Sequence, residues 1–390
     1  MNFPTLRFEG FDGEWREFNF NQITNITMGQ SPSGDSYNTL QHGEPLINGP
    51  TEFGNIYPTP IQWTTKPTKY SKPGDVLLCV RGSSIGRMNI SDQKYCVGRG
   101  VAAISGLENK TTSKYLKFVL EKEVEKILKR STGSTFPNIS GHELKQSLVS
   151  IPNLQEQQKI AFFFSSLDQK IEKQQEKIEK LEELKKGMMQ KIFSRDVRFK
   201  DENDRKFPDW ESFMFRNVVS NKSDKVIPED GSDLNMCIEL ENIESGSGRL
   251  IKDTNYVDQT SMKNKFSRGS VLFGKLRPYL KKFWFSDSEG MCSTEIWVLS
   301  PRVSNLKKKF LYYFIQSEYF MKYANKSSGS KMPRADWNII SNIEFMIPTI
   351  KEQQKISDFF STLDSKIENE KYKSESLKNQ KKGLMQQMFI

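Results

Sequence analysis

The segment IPNLQEQQKIAFFFSSLDQKIE, from Ile151 to Glu172, returns as IPTIKEQQKISDFFSTLDSKIE from Ile347 to Glu368. Fifteen of the 22 positions are identical, at a fixed offset of 196. Solenoid and propeller units repeat every 20–50 residues or so, so a period this long marks a duplicated module. Weaker echoes extend the duplication over the whole chain. LRFEGFDGEW (Leu6 to Trp15) matches VRFKDENDRKFPDW (Val197 to Trp210), and KPGDVLL (Lys72 to Leu78) matches SRGSVLF (Ser267 to Phe273). STGSTFPNI (Ser131 to Ile139) matches SSGSKMPRA (Ser327 to Ala335).

Each module reads as a mixed globular domain followed by a long helix. GDVLLCVRG and YCVGRGVAAI are short, β-rich apolar runs and are expected to be strands. Over Thr111 to Arg130, apolar Leu116, Val119, Leu120, Val124, Ile127 and Leu128 fall on one face of a helix. Ser140 with Glu143 has capping-box spacing, and Asp336 is the equivalent N-cap in the second copy. The expected boundaries are a globular domain at 1–150, a helix at 151–196, a second globular domain at 197–346 and a second helix at 347–390.

From Ile160 onward the spacing alternates between four and three. Phe164, Leu167, Ile171, Gln174, Ile178, Leu181, Lys185, Met188 and Ile192 continue the first seam. Ile356, Phe360, Leu363, Ile367, Glu370, Ser374, Leu377, Lys381, Leu384 and Met388 form the second. This is the apolar stripe of a coiled coil, and the economical arrangement pairs the two helices with each other. Antiparallel pairing sets Gln174 opposite Lys381 and Lys185 opposite Glu370, whereas parallel pairing buries Lys185 against Lys381. A helix from Gln155 to Phe193 spans about 58 Å, at about 1.5 Å per residue. The expected fold class is α+β: two globular domains related by a pseudo-twofold axis and separated by an antiparallel two-helix coiled coil.

At 390 residues the chain exceeds one ordinary core. No apolar run is long enough to span a membrane, and MNFPTLRFEG lacks the pattern of a signal peptide. Cys79, Cys96, Cys237 and Cys292 are scattered, which suits reduced thiols in the cytoplasm better than a zinc cage. The two helical stretches carry charges of only +1 and +2, so most of the net +10 lies on the globular parts, as a polyanion-binding surface requires.

Catalytic motifs fare poorly. GSVLFGKL (Gly269 to Leu276) approaches a phosphate-binding loop but has Leu276 where a hydroxyl must hold magnesium. Asp75, Asp92 and Lys94 could imitate a metal nuclease, yet the second copy has Ser270, Asp287 and Glu289 there. Only His42 and His142 are present, which leaves little room for histidine chemistry. The alternatives to a DNA-binding role are a standalone Mg-dependent nuclease built on Asp75, Asp92 and Lys94, or a coiled-coil scaffold with no nucleic-acid role.

A pair of basic domains suits double-stranded DNA read at two half-sites. Candidate DNA-binding residues in the first module are Arg81, Ser83, Arg87, Arg99, Thr135, Phe136 and Asn138. In the second they are Lys275, Arg277, Tyr279, Lys331, Met332 and Arg334. Arginine can read guanine and asparagine adenine through two hydrogen bonds, while lysine more often meets phosphate.

With its two EQQKI segments, GQSPSGDSYN near the start, KPGDVLL, STGSTFPNIS and the two-copy layout, the chain resembles the specificity (S) subunits of type I restriction–modification enzymes. The resemblance covers essentially the whole chain. It implies two target-recognition domains, each reading one half of a bipartite DNA sequence, with the helices as ruler and docking surface. It implies two modification (methyltransferase) subunits that carry S-adenosylmethionine and methylate adenine, and restriction subunits that use ATP and Mg. This chain would hold no cofactor or metal and no catalytic residue of its own, and would work in the cytoplasm. NKSDKV (Asn221 to Val226) stands where a second GxSPS string belongs, so the second module departs from the pattern there.

Overall fold

The computed structural model describes residues 3–130, 138–227, 236–251, 261–326 and 332–390. The chain forms two compact units, Met1–Lys177 with Lys371–Ile390, and Ile178–Glu370. The division cuts both long helices, whereas the sequence suggested each helix as a segment of its own.

In the first unit one antiparallel sheet runs in the order Thr24–Met28, Val101–Gly106, Val76–Cys79, Met88–Ile90. A second runs Tyr37–Asn38, Gln62–Thr64, Glu44–Ile47, Cys96–Val97, its last pair parallel. Arg16–Asn19 pairs with Leu148–Ile151 as a separate ribbon. Val76–Cys79 is buried along its whole length. Its alternate side chains serve two cores, as the twofold periodicity of a strand requires. Val76 and Leu78 face the larger core with Leu116, Leu120 and Phe164, while Leu77 and Cys79 join Ile47, Tyr95 and Val97.

The second unit repeats this plan. Val219–Ser220, Ile296–Pro301, Val271–Gly274 and Phe283–Phe285 form one sheet, and Lys225–Val226, Lys263–Phe266, Gly290–Ser293 and Cys237–Ile238 the other. Glu211–Met214 pairs with Glu344–Ile347 as the ribbon. The NKSDKV stretch therefore supplies an edge strand, Lys225–Val226. All four cysteines are buried and free.

The amphipathic segment of the first unit is the helix Ser113–Arg130, with Leu116, Val119, Leu120, Val124 and Ile127 buried. Its counterpart is broken into Lys308–Phe314 and Glu318–Ala324, because Ser317 caps a new helix by accepting from Phe320 N at 3.2 Å. YCVGRGVAAI is not one strand. Gly98 to Gly100 turn the chain between Cys96–Val97 and Val101–Gly106, which lie in different sheets.

The long helices are Leu154–Phe193 and Ile350–Met388. Each follows a proline and starts on an N-cap: Asn153 Oδ1 accepts from Glu156 N at 2.9 Å and Thr349 Oγ1 from Glu352 N at 3.4 Å. In the first unit the end of the second helix runs antiparallel to the start of the first. Phe389 stacks on Tyr115 at 5.7 Å and lies 5.8 Å from Phe164, while Lys381 reaches Asp168. In the second unit Met189 and Ile192 join the core that holds Ile356 and Phe360, and Lys185 reaches Asp364, which is the same antiparallel sense.

No seam residue of either helix is exposed. Leu167, Ile178, Leu363, Ile367 and Glu370 are buried, and Ile171, Gln174, Leu181, Lys185, Met188, Leu377, Lys381 and Leu384 are half-buried. The two seam lysines also make ion pairs on the flanks of the helices. Lys381 Nζ sits 2.8 Å from Asp168 and 2.9 Å from Glu121, so its carboxylate partner lies six residues before Gln174. Lys185 Nζ sits 2.7 Å from Asp364, six residues before Glu370. Among the described residues, no helix is long and apolar enough to cross a membrane.

Candidate nucleic-acid interface

The first unit builds an exposed cationic tip from three chain segments. Val80 N donates to Gly100 O at 2.9 Å, Ile139 N donates to Val80 O at 2.9 Å, and Arg81 bridges Asn138 in antiparallel fashion. These bonds set Arg81, Asn138 and the turn that carries Arg99 on neighbouring segments. The 82–87 loop folds back through Gly86 N to Cys79 O at 2.8 Å, with Gly82 and Gly86 in the left-handed region. Arg81, Ser83, Arg87, Arg99 and Asn138 are all exposed. Neither Arg81 nor Arg99 has a carboxylate partner among the described residues. Arg87 donates weakly to Pro50 O at 3.4 Å. Thr135 and Phe136 lie outside the described residues.

The GQSPSGDSYN string supports this tip. Gly29 N donates to Val101 O at 2.9 Å, Gln30 N to Val97 O at 3.0 Å, and Ser31 Oγ accepts from Arg99 N at 3.3 Å. A Cβ on Gly29 would stand 2.2 Å from Gly98 O and 2.5 Å from Val101 O. Only glycine permits that approach, so the string clamps the turn that carries Arg99.

The second unit assembles its tip in the same way. Lys275 N donates to Glu295 O at 2.9 Å, Ala335 N to Lys275 O at 2.8 Å, Arg277 N to Pro333 O at 2.7 Å, and Leu276 bridges Arg334. Arg277 (φ 51°) and Lys281 (φ 52°) are both left-handed and flank the single turn Pro278–Leu280. Each such non-glycine residue costs roughly 1 kcal/mol or more, and the turn holds Tyr279 55% exposed. Arg277, Met332 and Arg334 are exposed and Lys275 is half-buried. Arg334 Nε donates to Glu295 Oε2 at 3.0 Å. Lys331 lies outside the described residues.

The buried centre of the repeated EQQKI motif escaped sequence reading. Glu156 is fully buried and accepts two bonds of 2.7 Å from Arg7. Glu352 is equally buried and accepts from Arg198 at 2.8 and 3.2 Å and from Trp210 Nε1 at 3.1 Å. Gln157 Nε2 donates to Lys110 O and Pro152 O, and Gln353 Nε2 to Asn305 O and Pro348 O. The motif thus ties each long helix to its own domain. The signal was present: arginine recurs in LRFEG and VRFKD, at the same places in the two copies.

The nuclease constellation does not assemble. Asp75 caps a turn by accepting from Lys72 N at 2.8 Å, Asp92 accepts from Tyr95 Oη at 2.5 Å, and Lys94 pairs with Glu44 at 3.0 Å. Gly269 to Leu276 holds the buried strand Val271–Gly274 rather than a loop before a helix. No cluster of potential metal ligands occurs among the described residues.

The profile of the type I restriction modification DNA specificity domain matches residues 12–183 and again residues 210–379. The chain belongs to the type I restriction–modification DNA specificity family. Among specificity subunits of Methanocaldococcus jannaschii, it is 34% identical to a putative MjaX subunit over 48% of this chain and 44% of that protein. To the MjaVIII subunit it is 24% identical over 80% of this chain and 77% of the relative. The chain thus spans less than half the length of the MjaX protein it matches. The crystal structure of a type I restriction–modification system S subunit from M. genitalium shares the fold, with a TM-score of 0.61 over 100% of this chain and 99% of that one, at 17% identity. Both copies of the specificity domain contain one of the cationic tips described above.

Proposed function

We propose that the chain recognises double-stranded DNA, each unit reading one half of a bipartite target. The observation that carries this reading is the convergence of three segments, in both units, on an exposed cationic tip. The first presents Arg81, Arg99 and Asn138, and the second Lys275, Arg277 and Arg334. Cations on segments held by backbone hydrogen bonds can meet phosphate and base edges together, and the side chains differ between units, so the two half-sites differ in sequence.

In this reading the chain directs chemistry without performing it. Two modification subunits carry S-adenosylmethionine and methylate adenine within the target. Restriction subunits supply ATP-driven translocation and cleavage with Mg. The protein acts in the cytoplasm, and the paired long helices offer the docking surface for the modification subunits. Seam residues such as Leu167, Ile171, Leu363 and Leu377 keep those helices together.

The test is a map of methylated adenines in cells with and without the gene. A two-part motif present only with the gene is expected. Replacing residues 1–150 with those of another specificity subunit should change one half of the motif and leave the other. A motif unchanged by the exchange, or DNA binding indifferent to salt, would end the proposal.

A further inference from the structure

The two tips differ in one respect that bears on which base is read. At the turn where the first unit has Arg99 and Gly100, the second has Thr294 and Glu295. At the position of Asn138 the second unit has Arg334. The Glu295 carboxylate accepts from Arg334 Nε at 3.0 Å. The backbones of both residues are fixed: Glu295 O accepts from Lys275 N, and Arg334 bridges Leu276. The two terminal amino groups of Arg334 have no hydrogen-bond partner among the described residues.

We infer that Arg334, held by Glu295, reads a guanine in the half-site of the second unit. The inference rests on the DNA-binding role proposed above. The chemistry narrows the ligand in two steps. First, a guanidinium paired with a carboxylate is close to neutral, and the carboxylate repels phosphate. The backbone of DNA is better met by Lys275 and Arg277, which have no such partner among the described residues. Second, with Nε occupied, the remaining edge offers two parallel N–H donors. Guanine alone presents two acceptors, N7 and O6, side by side in the major groove. Glu295 is then a positioning residue that fixes the plane of the fork. The pair is partly exposed, with side chains 49% and 28% accessible. It therefore adds little to stability, and aiming the guanidinium is its main consequence.

The experiment is selection from a pool of randomised DNA duplexes, using the full-length chain co-expressed with the modification subunits proposed above. The wild type should enrich duplexes with an invariant guanine. Arg334→Ala and Arg334→Lys should each lower preference for that base by roughly 5- to 160-fold, the range a bidentate pair carries. Glu295→Gln should relax the same position and no other. The salt dependence of binding should stay unchanged in all three variants. Two results would overturn the inference while leaving DNA recognition intact. One is a wild-type motif without a guanine that responds to these variants. The other is an Arg334→Ala variant that weakens every duplex alike and lowers the salt slope by about 0.9, the mark of a phosphate contact. Enrichment of no sequence by the wild type would remove the DNA-binding role itself.

Discussion

Glu352→Ala tests whether the repeated motif is a structural clamp. The carboxylate is fully buried and accepts three hydrogen bonds, two from Arg198 and one from Trp210. Its loss leaves the Trp210 indole N–H, on a residue only 6% exposed, without an acceptor, at about 1–2 kcal/mol. The charge-assisted bonds to Arg198 contribute about 2 kcal/mol more. Arg198 is not stranded, because Asp209 at 3.1 Å and Phe207 O at 3.2 Å remain. The total therefore belongs near the low end of the roughly 3–5 kcal/mol that breaking a buried pair costs. About 3–4 kcal/mol corresponds to a melting temperature lower by about 6–16 °C for a unit of this size. Glu352→Gln keeps one carbonyl acceptor and should lose about half as much. The assay is urea unfolding followed by tryptophan fluorescence, with melting as a check. If both variants stay within about 1 kcal/mol of wild type, the buried pair is not the anchor proposed here.

Three further outcomes follow from the geometry. Asp168 is half-buried, and the partial burial works against its ionisation, but Lys117 and Lys381 outweigh it and hold its pKa below the usual value. A depressed carboxyl stabilises the fold above its unfolded pKa and loses that contribution as pH falls, so Lys381→Met should raise the pH at which acid unfolding begins. Burial, with Lys126 nearby, pushes Lys122 down to about 8. Its amine should therefore be among the fastest lysines to acylate at pH 8, read by mass spectrometry of a limited labelling time course. Gly29→Ala forces a Cβ against three backbone oxygens within 2.7 Å; it should displace the Arg99 turn and abolish DNA binding while the second unit keeps its far-ultraviolet signature.

Much of this fold was legible because local rules and the duplication agreed. The Ser140–Glu143 capping box forms, with Ser140 Oγ accepting from Glu143 N at 3.1 Å, and Asp336 caps Asn338 N at 2.8 Å. The seam positions are shielded because a strict heptad stripe has only one way to leave water. Side-chain reach was not legible. Lysines 381 and 185 bend to flanking aspartates that no seam pattern marks. The break in YCVGRGVAAI is set by tertiary clamping from Gly29 to Ser31, far away in sequence. The cationic candidates were readable as residues but not as a cluster. Their proximity comes from strand-edge hydrogen bonds between segments about 20 to 60 residues apart.

Comparison of the copies separates two kinds of position. Glu156 and Glu352, Gln157 and Gln353, and Arg7 and Arg198 are identical, buried or nearly so, and make equivalent bonds. Phe8 meets Phe163 at 5.7 Å, and Phe199 meets Phe359 at 5.6 Å. At the tips the copies diverge: Asn138 against Arg334, and Arg99-Gly100 against Thr294-Glu295. Buried clamps tolerate little change, because each replacement leaves a buried polar group without its partner. Exposed tip residues can change at a cost within about 0.5 kcal/mol, provided the backbone bridges stay. Because Arg81–Asn138 and Leu276–Arg334 are joined through main-chain atoms, the bridge survives almost any side chain placed there. The same scaffold can therefore present new side chains at its tips without renegotiating its core, which is what the proposed reading of two different half-sites requires.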